Sequence, residues 1–145
     1  MKNIKWGILG LGKIAGKFAT ALNDVEGAEL YAVASRSKNK AETFAKEHAA
    51  TKLFSSYEAM LKDEELDVVY IATPHVFHYE QTLLCLDHKK AVLCEKPFAM
   101  NKKQVEEMIA KAKKEKVFLM EAMWTQFLPH FKFVIEQIKS EKYGK

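Results

Sequence analysis

The sequence predicts an α/β fold in which helices cover both faces of a doubly wound parallel sheet. Short apolar runs alternate along the chain with amphipathic segments of helical period, which is the pattern of repeated strand–helix–strand units. Residues 67–72 are mostly apolar and β-branched and are followed directly by Thr73 and Pro74, as expected for a buried parallel strand. Units of these lengths join neighbouring parallel strands by right-handed crossovers.

The first half of the chain contains four predicted strands. The nearly continuous apolar run Ile4–Leu9 begins the fold and passes through a glycine-rich turn into a helix. In the second helix Ala41, Phe44 and Ala45 share one face, and Ser56 is placed to cap the third helix. In chain order the elements are strand 4–9, a helix to about residue 23, strand 30–34, helix 39–47, edge strand 52–54, helix 57–62 and strand 67–72.

The second half repeats this alternation and ends in a helix. Val105, Met108 and Ala112 recur at helical spacing after Asn101, a residue type that commonly caps helices. No low-complexity segment, internal repeat or linker rich in proline and glycine interrupts the chain, so we expect one domain. The elements here are helix 75–87, strand 91–94, helix 102–114, strand 117–120 and helix 129–139.

The composition is that of a globular protein, because 48% of the 145 residues are hydrophobic and 29% are charged. The net charge of +4 is spread without a dense basic block, which argues against a nucleic-acid partner. No apolar run approaches the roughly 20 residues that span a bilayer, so we expect no membrane partner and a cytoplasmic location. Cys85 and Cys94 lie in apolar runs without metal or disulfide spacing, and we expect them to be buried and reduced.

The segment from Gly10 to Ala15 reads Gly-Leu-Gly-Lys-Ile-Ala and joins the first strand to the first helix. Gly10 allows the tight turn, Gly12 lets the backbone approach a pyrophosphate, and Ala15 keeps the helix close to the sheet. The unpaired amides at the helix N-terminus attract the anion. A strand–motif–helix context of this kind predicts a Rossmann fold that binds a dinucleotide.

The end of the second predicted strand indicates which nicotinamide cofactor is preferred. NAD-selective domains usually place an acidic residue about 20 positions after the glycine motif, where it binds the ribose 2′-hydroxyl. Here that place is held by Arg36 beside Ser35 and Ser37, and an arginine with neighbouring hydroxyls can bind a 2′-phosphate in a forked geometry. We therefore expect NADP(H), with NAD(H) as the alternative cofactor and a solvated surface arginine as the structural alternative.

Two further motifs follow predicted strands, at the sheet edge where open α/β sheets bind ligands. Thr73 and Pro74 form a turn that leads to His75 and His78, whose spacing would suit a metal pair. We expect no metal, because no third ligand of suitable spacing lies near these histidines in the sequence.

The second of these motifs is the triplet Glu95-Lys96-Pro97. A lysine at a strand end, partly desolvated beside a bound cofactor, is suited to exchange a proton with a substrate. Pro97 fixes the turn, with a cis peptide bond as one way of aiming the lysine inward. A strand-ending turn without chemistry is the alternative interpretation.

In this order and spacing, the motifs resemble the nucleotide-binding half of the glucose–fructose oxidoreductase/inositol dehydrogenase (Gfo/Idh/MocA) family. Residues 91–97 and 118–125 are similar to its dimeric dihydrodiol dehydrogenase branch, and the resemblance covers essentially the whole chain. It implies NAD(P)-dependent hydride transfer on a sugar, polyol or diol. His75, where many members carry asparagine, and Gln126, where the branch often has arginine, depart from the pattern.

The resemblance also implies roles for individual residues. Lys96 would be the catalytic lysine, Glu95 a contact on the ribose or nicotinamide side, and Trp124 part of the substrate pocket, with a core aromatic as the alternative for Trp124. The full set of expected cofactor contacts is Gly10, Gly12, Lys13, Ile14, Ala15, Ser35, Arg36, Thr73, Pro74, His78, Glu95 and Lys96.

By the same resemblance, residues 1–122 form the dinucleotide-binding domain and residues 123–145 form a helical extension that leads to a substrate domain absent from this sequence. We expect the chain alone to bind nucleotide but to turn over poorly, since one wall cannot enclose a substrate. A stand-alone regulatory module that senses NADP(H) is the alternative. An exposed patch favours a homo-oligomer, and the residues expected to form it are Met123, Trp124, Phe127, Leu128 and Phe131.

Overall fold

The computed structural model of the chain describes residues 3–140 and residue 144. Six strands form one sheet in which every neighbouring pair runs parallel. The strands are β1 Ile4–Leu9, β2 Ala28–Ala34, β3 Lys52–Phe54, β4 Val68–Ile71, β5 Ala91–Cys94 and β6 Leu119–Glu121. Their spatial order is β3-β2-β1-β4-β5-β6, so the chain begins in the middle of the sheet and winds outward in both directions. The predicted doubly wound sheet is confirmed.

Helices connect the strands and cover both faces of the sheet. The helices are α1 Lys13–Leu22, α2 Lys38–Glu47, α3 Tyr57–Leu61, α4 His78–Asp87, α5 Lys102–Glu115 and α6 Pro129–Lys139, with 3-10 turns at His75–Phe77 and Trp124–Phe127. On one face α1 and α2 pack through small residues such as Ala15 and Ala41 against Val33. On the other face α3, α4 and α5 enclose a second apolar layer that includes Leu86 and Val69. Helices on both faces are therefore confirmed as well.

Several boundaries differ from the prediction for local reasons. The predicted helix 75–87 is divided into a 3-10 turn and α4. The last strand begins at Leu119 rather than at residue 117, because the Val117 N–H donates to the Ala112 carbonyl and closes α5 around the left-handed residue Lys116. The predicted caps are confirmed, since Ser56 Oγ accepts from the Ala59 N–H and Asn101 Oδ1 accepts from the Gln104 N–H, both at 3.1 Å.

Both cysteines are buried and free, as the sequence predicted. Burial raises the pKa of the Cys94 thiol to about 12 and raises that of Cys85 as well. Neither sulfur is therefore ionised near neutral pH.

A cluster of charged side chains surrounds the buried Tyr31 at the amino-terminal side of the sheet. The Tyr31 hydroxyl donates to Glu65 at 2.9 Å and lies 3.2 Å from both Asp63 oxygens. Lys52 donates to Asp63 at 2.8 Å and Lys5 donates to Glu65 at 2.9 Å. The hydrogen bond from Lys52 lowers the pKa of Asp63, and that from Lys5 lowers the pKa of Glu65.

This cluster makes stability depend on pH on the acid side. A carboxyl group whose pKa is lowered by folding contributes stability that is complete above its ordinary value and is lost as the pH falls through the folded value. The ordinary values are 3.8 for Asp63 and 4.5 for Glu65, so we expect the free energy of unfolding to decline below about pH 4.5. Urea titrations at pH 7 and pH 3.5 measure this decline. Asp63→Asn should reduce it and Glu64→Gln, a change at an exposed neighbour, should not; equal declines in both variants would contradict the assignment.

Candidate functional site: two cavities at the carboxyl edge of the sheet

The turn after β1 packs tightly against the turn after β4. Gly10 has φ +85°, and a Cβ atom there would lie 2.6 Å from Thr73 Cγ2 and 2.8 Å from the Thr73 backbone nitrogen. Gly12, the residue that caps α1, differs because a Cβ atom there would meet nothing within 4 Å. No side chain caps the first turn of α1. The amides of that turn therefore face open space of the kind in which an anion binds at a helix N-terminus.

Three turns enclose a cavity of about 400 Å³ in front of α1, called here the first cavity. The turns follow β1, β2 and β4, which are adjacent in the sheet. Within the second turn, the Ser37 N–H donates to Ser35 Oγ at 3.2 Å and holds the segment that carries Arg36. The structure thus brings together six of the sequence-predicted residues on one wall: Gly10, Gly12, Ser35, Arg36, Thr73 and Pro74.

Sequence analysis missed other residues that line the first cavity. Lys40, in the first turn of α2, adds a second cation beside Arg36. Its spacing of four positions after Arg36, across a serine at the helix start, is the signal that could have identified it. Gln81 accepts a hydrogen bond from Thr73 Oγ1 at 2.6 Å and so orients the turn after β4. No sequence pattern pointed to Gln81, because its contact depends on how α4 packs.

A second cavity, of about 460 Å³, lies between α1 and the segment after β6. Its wall combines apolar side chains, including Ile14 and Trp124, with the carboxylate of Glu95. The Tyr70 hydroxyl donates to Glu95 Oε1 at 2.5 Å. Burial, and secondly this hydrogen bond, raises the pKa of Tyr70, so the phenol remains the donor and fixes the carboxylate. Trp124 is 58% exposed, which contradicts the core alternative and leaves it on the cavity wall.

The remaining sequence-predicted residues lie outside these walls. Lys96 is exposed on the turn after β5, its N–H donates to Glu95 Oε2 at 3.2 Å, and the Lys96–Pro97 peptide bond is cis. Lys13 lines a shallow concavity shared with α2, and Ala15 is fully buried on the face of α1 that packs against the sheet. His78 is 1% exposed and lies beneath the turns rather than on a cavity wall.

Two further observations concern metal binding and membrane-spanning helices in the part of the chain that the structure describes. Across residues 3–140, no group of three or more His, Cys, Asp or Glu side chains is arranged to hold a metal ion. His78 is also occupied, since both ring nitrogens lie within 3 Å of backbone carbonyl oxygens. Among the described helices, none has both the length and the apolar character needed to cross a membrane.

Comparison with known proteins identifies relatives for most of the chain. The model of the Gfo/Idh/MocA family, an oxidoreductase family with an NAD-binding Rossmann fold, matches residues 4–123. The chain is 44% identical over 138 residues to trans-1,2-dihydrobenzene-1,2-diol dehydrogenase of Xenopus tropicalis, which covers 94% of the chain and 41% of the relative. It is 47% identical over 129 residues to the scyllo-inositol 2-dehydrogenase (NADP(+)) IolU of Bacillus subtilis, covering 89% of the chain and 39% of the relative.

A solved structure matches the fold over nearly all of the chain. The 3-ketoreductase KijD10 from Actinomadura kijaniata, crystallised with NADP, superposes with a TM-score of 0.93 at 28% identity. The match covers 99% of this chain and 46% of that one. The chain thus spans less than half the length of each of these three proteins.

Proposed function

The chain belongs to the Gfo/Idh/MocA family of oxidoreductases, and on that premise we propose that it binds NADP(H) as the cofactor-binding part of a dehydrogenase for a diol, polyol or sugar. One observation carries this proposal: the first cavity joins the open N-terminus of α1 to a wall with two cations, Arg36 and Lys40. The dihydrodiol and inositol dehydrogenases similar to this chain support the substrate class.

The cation pair favours NADP(H) over NAD(H) for an electrostatic reason. A 2′-phosphate adds negative charge at the end of β2, where a carboxylate would repel it and a guanidinium can bind it in a bidentate manner. From Val33 to Lys40 the chain carries no acidic residue. Ser35 and Ser37 add hydroxyl groups beside Arg36. The NADP named for the similar inositol dehydrogenase and ketoreductase supports the same preference.

Substituting Arg36 or Lys40 with alanine tests this preference. Each change should weaken NADPH binding roughly tenfold or more, since a hydrogen bond to a charged group contributes about 1.5–3 kcal/mol. NADH binding should change less than about twofold, because NADH lacks the 2′-phosphate. Fluorescence titration of both nucleotides measures the selectivity directly.

The matched control is Lys38→Ala, which removes one positive charge from α2, as Lys40→Ala does. Lys38 has a side chain that is 76% exposed and lies 3.7 Å from Glu42, outside the first cavity. This variant should keep the wild-type selectivity. Equal affinity of the wild type for NADPH and NADH, unmoved by Arg36→Ala, would remove the 2′-phosphate proposal.

The two cavities together suggest how the proposed reaction is divided among residues. The cofactor, when bound, supplies or accepts a hydride at its nicotinamide ring. The first turn of α1 would hold the pyrophosphate, and the second cavity, with Ile14 and Trp124, would shelter the reacting end from water. Lys96 would take the proton from the substrate hydroxyl on oxidation and return it on reduction. Glu95, fixed by Tyr70, would orient the cofactor on the ribose or nicotinamide side.

Two further predictions concern the turnover and the oligomeric state of this chain. Poor turnover by this chain alone remains a prediction, since substrate enclosure needs walls beyond the two cavities. A homo-oligomer also remains a prediction. It is supported by a patch after β6 where Trp124 and Phe127 are each more than half exposed, followed in α6 by exposed Phe133 and Ile138.

A further inference from the structure

The turn after β5, residues 95–98, is held by a side chain of the neighbouring strand. The Phe98 N–H donates a hydrogen bond to Glu121 Oε1 at 2.8 Å. Glu121 is the last residue of β6 and pairs in register with Cys94, the last residue of β5. Each backbone N–H has one proton to donate, so this bond fixes where the backbone of the turn lies beside β6.

Glu121 also begins the segment that carries Trp124. The Met123 N–H donates to the Glu121 carbonyl at 2.8 Å and closes a tight turn directly after the strand. The next residues form the 3-10 turn Trp124–Phe127, which lies on the wall of the second cavity. The side chain of Glu121 thus contacts the turn that carries Lys96, and its main chain directs the segment that carries Trp124.

The strand that carries Glu121 has little else to hold its end in place. β6 has three residues and, among the described strands, pairs with β5 alone. Within residues 3–140 no ion pair involves Glu121, so its carboxylate serves the backbone hydrogen bond rather than a charged partner. A glutamine amide oxygen could accept the same hydrogen bond without a charge.

We propose that Glu121 is a positioning residue that, through the Phe98 N–H, holds the turn of Lys96 at a fixed place relative to the Trp124 wall of the second cavity. Glu121 itself lines neither cavity, so it acts through Lys96. Proton transfer requires the amine within hydrogen-bond reach of the substrate hydroxyl, and a small misplacement slows it strongly. The inference rests on the proposed function, because it takes Lys96 as the group that exchanges the substrate proton.

The first test is spectroscopic and needs no ligand. In Glu121→Ala the Phe98 amide proton should exchange with solvent about tenfold faster or more, and the NMR signals of the Lys96 amide and the Trp124 indole N–H should shift together. Glu121→Gln should return all three towards the wild type. Glu106→Ala is the matched control, because Glu106 lies on α5 with 63% of its side chain exposed. Unmoved Lys96 and Trp124 signals in Glu121→Ala, or equal shifts in Glu106→Ala, would overturn the inference.

The second test is a double-mutant cycle on the full-length protein with NADP⁺ and a diol. Glu121→Ala should lower kcat about tenfold or more and leave the Kd for NADPH within about threefold. Glu121→Gln should recover kcat to within about threefold of the wild type, since it keeps the hydrogen bond. Added to Lys96→Ala, the change Glu121→Ala should lower the residual turnover less than about twofold, because no amine is left to misplace.

Each outcome of the cycle decides between roles for Glu121. A loss of the same factor with and without Lys96 would mean that Glu121 only supports the fold. A failure of Glu121→Gln to recover kcat would assign the effect to the charge. Either result overturns the inference. A wild-type protein that oxidises no diol, or unchanged turnover in Lys96→Ala, would instead defeat the proposed function, and the NMR result would still judge whether Glu121 fixes the turn.

Discussion

Replacing Lys96 with alanine is expected to lower the kcat of the full-length protein by about 10³-fold while leaving the Kd for NADPH within about threefold. Positioned proton transfer contributes roughly 10²–10⁴ in rate, and the amine is the group proposed to exchange the substrate proton. Lys96 is exposed and its side chain has no hydrogen-bond partner among the described residues, so its loss should not disturb the fold. Steady-state kinetics with a diol substrate and a nucleotide titration measure the two quantities separately.

Lys102→Ala provides the control, since this lysine on α5 is also exposed, with 86% of its side chain accessible, and lies away from both cavities. It should leave kcat and Kd unchanged. Wild-type turnover in Lys96→Ala would end the catalytic assignment.

The fold was predictable because its determinants are local in the sequence. The apolar run of β1, the glycine turn and the β-branched run before Thr73 each specify an element, and right-handed crossovers then place the strand ends along one edge. The divided helix at His75 and the late start of β6 were not predictable in the same way. They depend on hydrogen bonds such as that from Val117 to Ala112, which no apolar period reports.

The candidate site was predictable where one residue type is required at one position. Gly10 and Arg36 are of this kind, and both line the first cavity. Tyr70 and His78 are different, since either residue type also occurs as an ordinary core side chain. Their contacts, with Glu95 and with the Pro97 carbonyl, join segments that lie 25 and 19 positions apart in the chain. Such contacts appear only once the strands are adjacent.

We expect Gly10→Ala to lower the free energy of unfolding and Gly12→Ala to lower the affinity for NADPH, although the two positions lie only two residues apart. At Gly10 a Cβ atom meets the Thr73 nitrogen at 2.8 Å and the Ala72 carbonyl carbon at 2.9 Å, and φ is +85°. Backbone atoms cannot rotate away as a side chain can, so we expect a loss of about 3 kcal/mol or more of the free energy of unfolding. Chemical denaturation measures this loss, and Gly27→Ala, with φ +80° and open space, should lose only about 1 kcal/mol.

Gly12→Ala should instead keep its stability within about 1 kcal/mol, because its Cβ meets no atom of the chain within 4 Å and φ is −93°. The added methyl group projects into the space where the pyrophosphate would approach the amides of α1. We therefore expect NADPH affinity to fall about tenfold or more in a protein that unfolds like the wild type. If Gly12→Ala bound NADPH normally, the dinucleotide would have to lie elsewhere. A stable Gly10→Ala variant would mean that the turns after β1 and β4 are not packed as described. The loss of stability in Gly10→Ala and the loss of NADPH affinity in Gly12→Ala together locate the cofactor at this turn.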